Sequence, residues 1–363
     1  MPIPTTMQAV LLTRHGGPDA LQVRDDVAVP RPGPGEVLIE VSACGMNNTD
    51  IWVREGAYGT DDDPKAVASW RRTAAESTLR FPRIQGADTA GRIVAVGAGV
   101  PETRIGERVM VDFSIYNGDG EHLTDIDYFG HGADGGFAEY QVVPAENAYE
   151  IRAALSDAQV ATFCCAYLTG EHMLDRAAVT AGERVLITGA SGGVGAGLIA
   201  LCRARGAIPY ALAGSGKEAG VKAAGAEAVI TRGADWEDGV RQALAGAPID
   251  VVADLVAGPL FPGLINLLRP EGRYVTAGAI GGPLVTFDIR TLYLKHLQIH
   301  GSSQGTRSAF RRLVSYIETG KVMPMLWANY PLSRIGEAQA AFKRKHHIGK
   351  IVLQPDRKWT PAQ

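Results

Sequence analysis

At 363 residues, with 46% hydrophobic and 21% charged side chains, the chain is long enough for two buried cores and has the balance of an ordinary globular protein. A formal net charge of -3 gives no electrostatic reason to expect nucleic acid or an anionic membrane surface as partner. No apolar run is long enough to span a bilayer, no charged-then-apolar leader is visible, and the four cysteines (Cys44, Cys164, Cys165, Cys202) form no C-x-x-C pair, so a cytoplasmic protein with reduced thiols is expected.

From residue 7 to 41, strand-like runs at 9–12, 21–23 and 37–41 alternate with punctuation such as Arg31-Pro32-Gly33-Pro34-Gly35, which predicts an antiparallel, β-rich first domain. Residues 44–54 then form a polar knot opening a short helix, where Asn47 and Asp50 are natural capping residues. Residues 59–83 show little sheet pattern and read as a flap over a cleft or a surface insertion. Tyr58, at the mouth of that segment, offers a phenol to donate a proton to a substrate oxygen or to orient it. Strands resume at 91–97, 108–111 and 136–143, with a polar, glycine-rich surface loop at 114–134 between the last two.

From residue 157 the apolar period becomes helical, and the stretch Arg184-Val185-Leu186-Ile187-Thr188-Gly189-Ala190-Ser191-Gly192-Gly193-Val194-Gly195-Ala196 follows. A β-branched run breaking into glycines and then into a helix opens a βαβ unit. There the backbone N–H groups and dipole of the helix N-terminus receive a phosphate pair, which places Ser191, Gly192, Gly193 and Val194 against the cofactor. Ala190 stands at the first glycine position of G-x-G-x-x-G, so only Gly192 and Gly195 fit that pattern. About 20 residues on, where an NAD-type site places an acid for the ribose 2′-OH, the sequence offers Ser215 and Lys217 and no acid before Glu218. A hydroxyl and a cation suit a 2′-phosphate, so the expected cofactor is NADPH.

Strand-like runs at 228–230, 251–254, 273–278 and 297–300 then alternate with helical ones, the signature of a parallel sheet covered on both faces. Gly278 and Ala279 fall at a strand's carboxyl end, where open α/β sheets bind ligands. The chain closes with helices at 308–319 and 336–343 and a strand at 350–353.

The order of these parts resembles the medium-chain dehydrogenase/reductase superfamily, and within it the quinone-oxidoreductase-like branch. The resemblance rests on Gly16-Gly17, Pro34-Gly35-Glu36-Val37, the 189–195 loop, Asp250-Val251-Val252, Gly258-Pro259-Leu260-Phe261, Gly272-Arg273-Tyr274-Val275 and His347-Ile348-Gly349-Lys350-Ile351-Val352-Leu353. It implies an α/β fold: a groES-like β-rich catalytic domain made by both ends of the chain (1–165 and 302–363), and an inserted Rossmann-type doubly wound parallel sheet (166–301). The active site is then expected in the cleft. It implies that Thr169 contacts the nicotinamide ribose side, that Lys350 lies near the cofactor, and that the strand at 297–300 pairs with a twofold mate in a homodimer.

Zinc-dependent members of the superfamily hold their metal with Cys, His and Cys beside a Glu. Carried onto this chain, those positions are Asn47, Ala87, Cys165 and Asp88. One thiolate and one carboxylate fall short of a tetrahedral site, so no metal is expected. Asn47 and Asp50 match the N-x-x-D motif of quinone reductases, which implies that they line the pocket; capping of the following helix is the competing role. Without a Lewis acid, reduction of a quinone or α,β-unsaturated carbonyl compound is easier than alcohol oxidation. The alternatives are a zinc-type alcohol dehydrogenase and, in a different class, an NADPH-binding protein without useful turnover, like the lens crystallins of this superfamily. His131, His172 and His300 receive no role.

Overall fold

The computed structural model describes residues 2–57 and 79–359. The chain divides into two compact units: 1–165 with 306–314 and 326–363, and 166–305 with 315–325. The return to the first unit is thus made in two steps, and the division runs through the helix Arg307–Glu318.

The second unit is built on six parallel strands: Arg184–Thr188, Ile208–Ala213, Ala228–Thr231, Ile249–Asp254, Leu268–Thr276 and Gln298–Gly301. In chain order their lateral arrangement is third, second, first, fourth, fifth, sixth. That is the doubly wound arrangement, and its switch point lies between the first and fourth strands. The strands are short apolar runs because both faces are covered; Leu186, Val252, Tyr274, Val240, Leu264 and Phe261 belong to one buried cluster.

The first unit is dominated by a seven-stranded sheet. Its path runs Ala148–Glu150, Arg108–Val111, Asp88–Val96, Glu36–Gly45, Lys350–Gln354 and Leu326–Pro331, and Tyr140–Pro144 also pairs with Glu36–Gly45. The C-terminal strand therefore lies inside the sheet, with Val352 opposite Gly45 and Leu353 opposite Cys44. A smaller sheet sets Thr6–Leu12 between Leu21–Ala28 and Arg83–Ile84. Two sequence expectations need correction here. The 114–134 stretch carries a paired hairpin, Ser114–Tyr116 with Ile126–Tyr128, whose Tyr128 and Phe129 are buried. Residues 136–139 do not form a regular strand, because Gly136 passes so close to Thr89 that a Cβ there would lie 2.1 Å from its hydroxyl. The strand Leu326–Pro331 was not foreseen, since Trp327 and Asn329 do not alternate cleanly with apolar neighbours. The proposed 59–83 flap, apart from residues 79–83, lies outside the described residues, as does Tyr58.

Gly91 fixes the closest approach in this sheet: a Cβ would sit 2.3 Å from the Glu40 carbonyl oxygen, a backbone atom that cannot swing away. Gly91→Ala is expected to lower the melting temperature by about 5 °C or more, whereas Gly118→Ala, with open space around it, leaves it unchanged. Differential scanning calorimetry on both variants checks this, and equal midpoints would refute the packing argument.

Candidate active site

In the second unit the glycine loop is made by a substitution of positions. Gly189 takes the left-handed conformation (φ 58°) at the end of the first strand, so the turn does not need glycine at 190 and Ala190 packs fully buried. Gly192 is the N-cap of the helix Gly193–Ala204. Gly195 must lack a side chain because a Cβ would lie 2.3 Å from the Gly189 carbonyl oxygen, which locks helix against turn. Ser191, Gly192, Gly193 and Val194 thus all fall at a helix N-terminus that can receive a diphosphate.

The loops after the fourth and fifth strands gather at the same end of the sheet. A Cβ on Gly189 would touch Leu255 and Val256, and one on Gly278 would touch the Leu255 carbonyl. Asp254, fully buried, organises this corner: its carboxylate accepts from Thr188 Oγ1, from Tyr274 OH at 2.5 Å, and from the N–H groups of Val256 and Ala257 at 2.9 and 3.1 Å. Sequence reading saw Asp254 only as a strand residue; its role shows only when two strands and a loop converge. Gly278 and Ala279 follow the fifth strand beside that corner, and Thr169 is nearly buried on the helix Cys164–Arg176. Gly170, next to it, lets Leu198 and Leu201 of the glycine-loop helix approach.

Past the second strand, the Lys217 ammonium donates to Ser191 Oγ at 3.3 Å, while Ser215 is exposed. Partial burial, and then the like charge of Arg232, hold the Lys217 pKa below the ordinary lysine value. Arg232, immediately after the third strand, is a second cation here, and sequence reading missed it; its position at a strand's carboxyl end was the available signal. The nearby acid, Glu218, accepts from Thr231 Oγ1 at 2.7 Å. The glycine cradle and helix terminus therefore fit a nicotinamide dinucleotide.

In the first unit, three of the four positions carried over for zinc, Asn47, Asp88 and Cys165, do come together, but around a lysine. Lys350, 2% exposed at the start of the C-terminal strand, donates to Asn47 Oδ1 at 2.6 Å and to Asp88 Oδ2 at 2.7 Å. The other Asp88 oxygen accepts from the Cys165 N–H at 2.8 Å, capping the N-terminus of the helix Cys164–Arg176. Burial alone would lower the Lys350 pKa, but the Asp88 carboxylate, the Cys165 sulfur and Asp50 outweigh it and raise it, so the side chain is an ammonium ion. Expected beside the cofactor, Lys350 has its ammonium committed to this cluster. Ala87, buried, offers no donor atom, and among the described residues no three His, Cys, Asp or Glu side chains converge for a metal. Asp88 is already occupied, and an amide and an ammonium do not bind zinc, so this donor set does not fit the metal.

Asp50 caps the helix that follows, and the Asn47 side chain joins the cluster around Lys350. The Asp50 carboxylate accepts from the Asn47 N–H at 2.7 Å, reaching back from the first turn of the helix Asn48–Glu55. The Asn47 side chain also reaches Lys350, and among the described residues its Nδ2 is buried without a hydrogen-bond partner. Burial pushes the Asp50 carboxyl up to about 7, against the pull of the Asn47 N–H, and Asp88 adds to the rise.

A dinucleotide cradle on a doubly wound sheet, together with a β-rich unit carrying a buried polar cluster, defines a nicotinamide-dependent oxidoreductase. The family models of the alcohol dehydrogenase GroES-like domain and of the zinc-binding dehydrogenase match residues 33–153 and 193–319. Human quinone oxidoreductase is 29% identical over 357 residues, 96% of this chain and 97% of its own. A solved structure of a candidate alcohol dehydrogenase from Sinorhizobium meliloti 1021 is 62% identical, with TM-score 0.94 and 98% of each chain covered. A 2-octenoyl-CoA carboxylase reductase solved with NADP and 2-octenoyl-CoA is 27% identical, with TM-score 0.85, covering 98% of this chain and 89% of that one. The chain belongs to the medium-chain dehydrogenase/reductase superfamily.

Because the folded Asp50 pKa is raised, its contribution to stability is complete below the ordinary carboxyl pKa and is lost as pH rises through about 7. Asp50→Asn, which cannot ionise, is therefore expected to melt at least a few degrees above the parent at pH 8.5 and level with it or below it at pH 5. A difference in melting temperature that does not change with pH would contradict the assignment.

Proposed function

We propose that the protein is an NADPH-dependent reductase of quinones or α,β-unsaturated carbonyl compounds and works without a bound metal. The observation that carries this reading is the Lys350 ammonium held between Asn47 and Asp88, at the positions carried over from the zinc enzymes. With a monovalent cation there and no thiolate–imidazole set, alkoxide formation lacks its usual stabilising group, and an acceptor that is already electron-poor becomes the suitable partner. Bound nicotinamide supplies the hydride; the chain's own task is to hold and orient the acceptor and to manage the charge that develops on its oxygen. The likeness to quinone oxidoreductase along the whole chain supports the same substrate class.

NADPH is preferred over NADH in this reading because Lys217 and Arg232 put two cations past the carboxyl ends of the second and third strands and Ser191, past the first, adds a hydroxyl that Lys217 reaches, while Glu218 is engaged by Thr231. A 2′-phosphate is matched by such a set and a bare ribose is not. The second reading, interconversion of an alcohol and a ketone, is favoured by the name of the 62% identical structure. Homodimer formation is also proposed. The strand Gln298–Gly301 bonds to Leu268–Thr276 on one side only among the described residues, and Leu284 (90% exposed), Ile289, Tyr293, Leu294 and Ile299 leave an apolar surface near this edge.

Two outcomes test the reading. Purified enzyme is expected to oxidise NADPH with 1,2-naphthoquinone or an enone, to leave simple alcohols untouched with NADP+, and to contain only substoichiometric zinc by elemental analysis; stoichiometric zinc with alcohol oxidation would establish the alternative. Lys217→Glu combined with Arg232→Ala is expected to raise KM for NADPH by about tenfold or more while leaving KM for NADH nearly unchanged. Equal effects on both cofactors would remove the 2′-phosphate assignment.

A further inference from the structure

The polar cluster of the first unit contains two hydrogen-bond donors that its own residues do not use. Lys350 has three N–H bonds, and the described residues provide acceptors for two of them, Asn47 Oδ1 and Asp88 Oδ2. Because Asn47 Oδ1 is taken by the ammonium, the amide orientation is fixed, and among the described residues its NH2 group is left without an acceptor although the residue is only 9% exposed. An unsatisfied buried donor is costly, and in a native structure it asks for a reason. The two spare donors are neighbours, since the ammonium lies 2.6 Å from one end of the same planar amide whose other end is Nδ2. One anionic oxygen can lie within hydrogen-bond distance of both. Cys165 is the partly exposed member of the group.

Charge balance points the same way. Among the described residues Asp88 is the one carboxylate that accepts from the ammonium, and it spends its other oxygen on the Cys165 N–H. The ammonium is thus less than fully matched, a state that a second anionic oxygen completes.

We propose that Lys350 and Asn47 form an oxyanion receptor for a single oxygen of the acceptor: the enolate oxygen of a reduced enone, or the phenolate oxygen of a reduced quinone. This rests on the reductase reading above. In an enone, hydride adds with its electron pair to the β carbon, the C=C π pair moves to form the enolate, and the carbonyl oxygen gains the negative charge; in a quinone, hydride adds to one carbonyl oxygen, the π pairs shift through the ring, and the other oxygen becomes the phenolate. That oxygen accepts from the third Lys350 N–H and from Asn47 Nδ2. A proton from water then closes the step, at the α carbon of an enolate or at the oxygen of a hydroquinone monoanion. The receptor stabilises charge that exists only after hydride has moved, which is where donors fixed in advance are most effective.

The test uses 4-nitrophenol, whose ionised form absorbs separately from the neutral one and so reports oxyanion binding without turnover. With the full chain, wild type is expected to bind the phenolate at least about tenfold more tightly than does Asn47→Ala, which leaves the Lys350–Asp88 pair in place, or Lys350→Met/Asp88→Asn, which removes both charges together. NADPH binding, followed by nicotinamide fluorescence, should stay within about twofold in both variants, and their melting curves show that they fold. If the paired variant does not fold, Asn47→Ala decides alone. Equal phenolate affinity in wild type and Asn47→Ala, or no binding to wild type at millimolar concentration, would overturn the receptor. Phenolate binding that depends on Asn47 and Lys350, in a protein that reduces no quinone or enone, keeps the receptor and removes the reductase reading instead.

Discussion

The ion pair between Lys350 and Asp88 is the contact on which the first unit and its chemistry both depend. A lysine ammonium buried at 2% exposure persists only if its solvation is replaced, and Asp88 and Asn47 replace it. Asp88 ties the last strand, Lys350–Gln354, to the start of the strand Asp88–Val96, and Asn47 ties it to the segment that follows the strand Glu36–Gly45, with Met46 N–H donating to the Ile351 carbonyl alongside. Removing one partner of a buried pair of this kind typically costs about 3–5 kcal/mol, because the other charge stays buried. The tether between the chain's two ends and the polar cluster are therefore not separable features.

A lysine is a different tool from a metal. A divalent ion with open coordination polarises a carbonyl and stabilises an alkoxide; an ammonium offers one charge and directional N–H bonds. Its value is greatest where the substrate is already electron-poor and needs only a place for the new charge.

The nucleotide unit depends on another buried carboxylate. Asp254 gathers Thr188, Tyr274 and two backbone N–H groups, and so fixes the loop after the fourth strand against the turn after the first. With that loop fixed, the glycine turn can have its most constrained residue at Gly189 and tolerate Ala190. The departure from G-x-G-x-x-G reflects a one-residue shift in where the left-handed backbone is needed.

What the chain's order of residues determined by itself was the architecture and its glycine-rich turn from strand to helix, because strand and helix periods and glycine spacing are local properties that the backbone obeys wherever it lies. It also showed that Asn47, Ala87, Asp88 and Cys165 are a poor set of metal donors. It did not show what stands among them. Lys350 is 303 residues from Asn47 and 262 from Asp88, and Asp254 meets Thr188 across 66 residues, so no spacing rule links them. Those meetings were decided by the strand pairing that lays residue 352 beside residue 45 and sets the fourth parallel strand next to the first, since only a completed sheet brings such distant side chains within hydrogen-bonding distance.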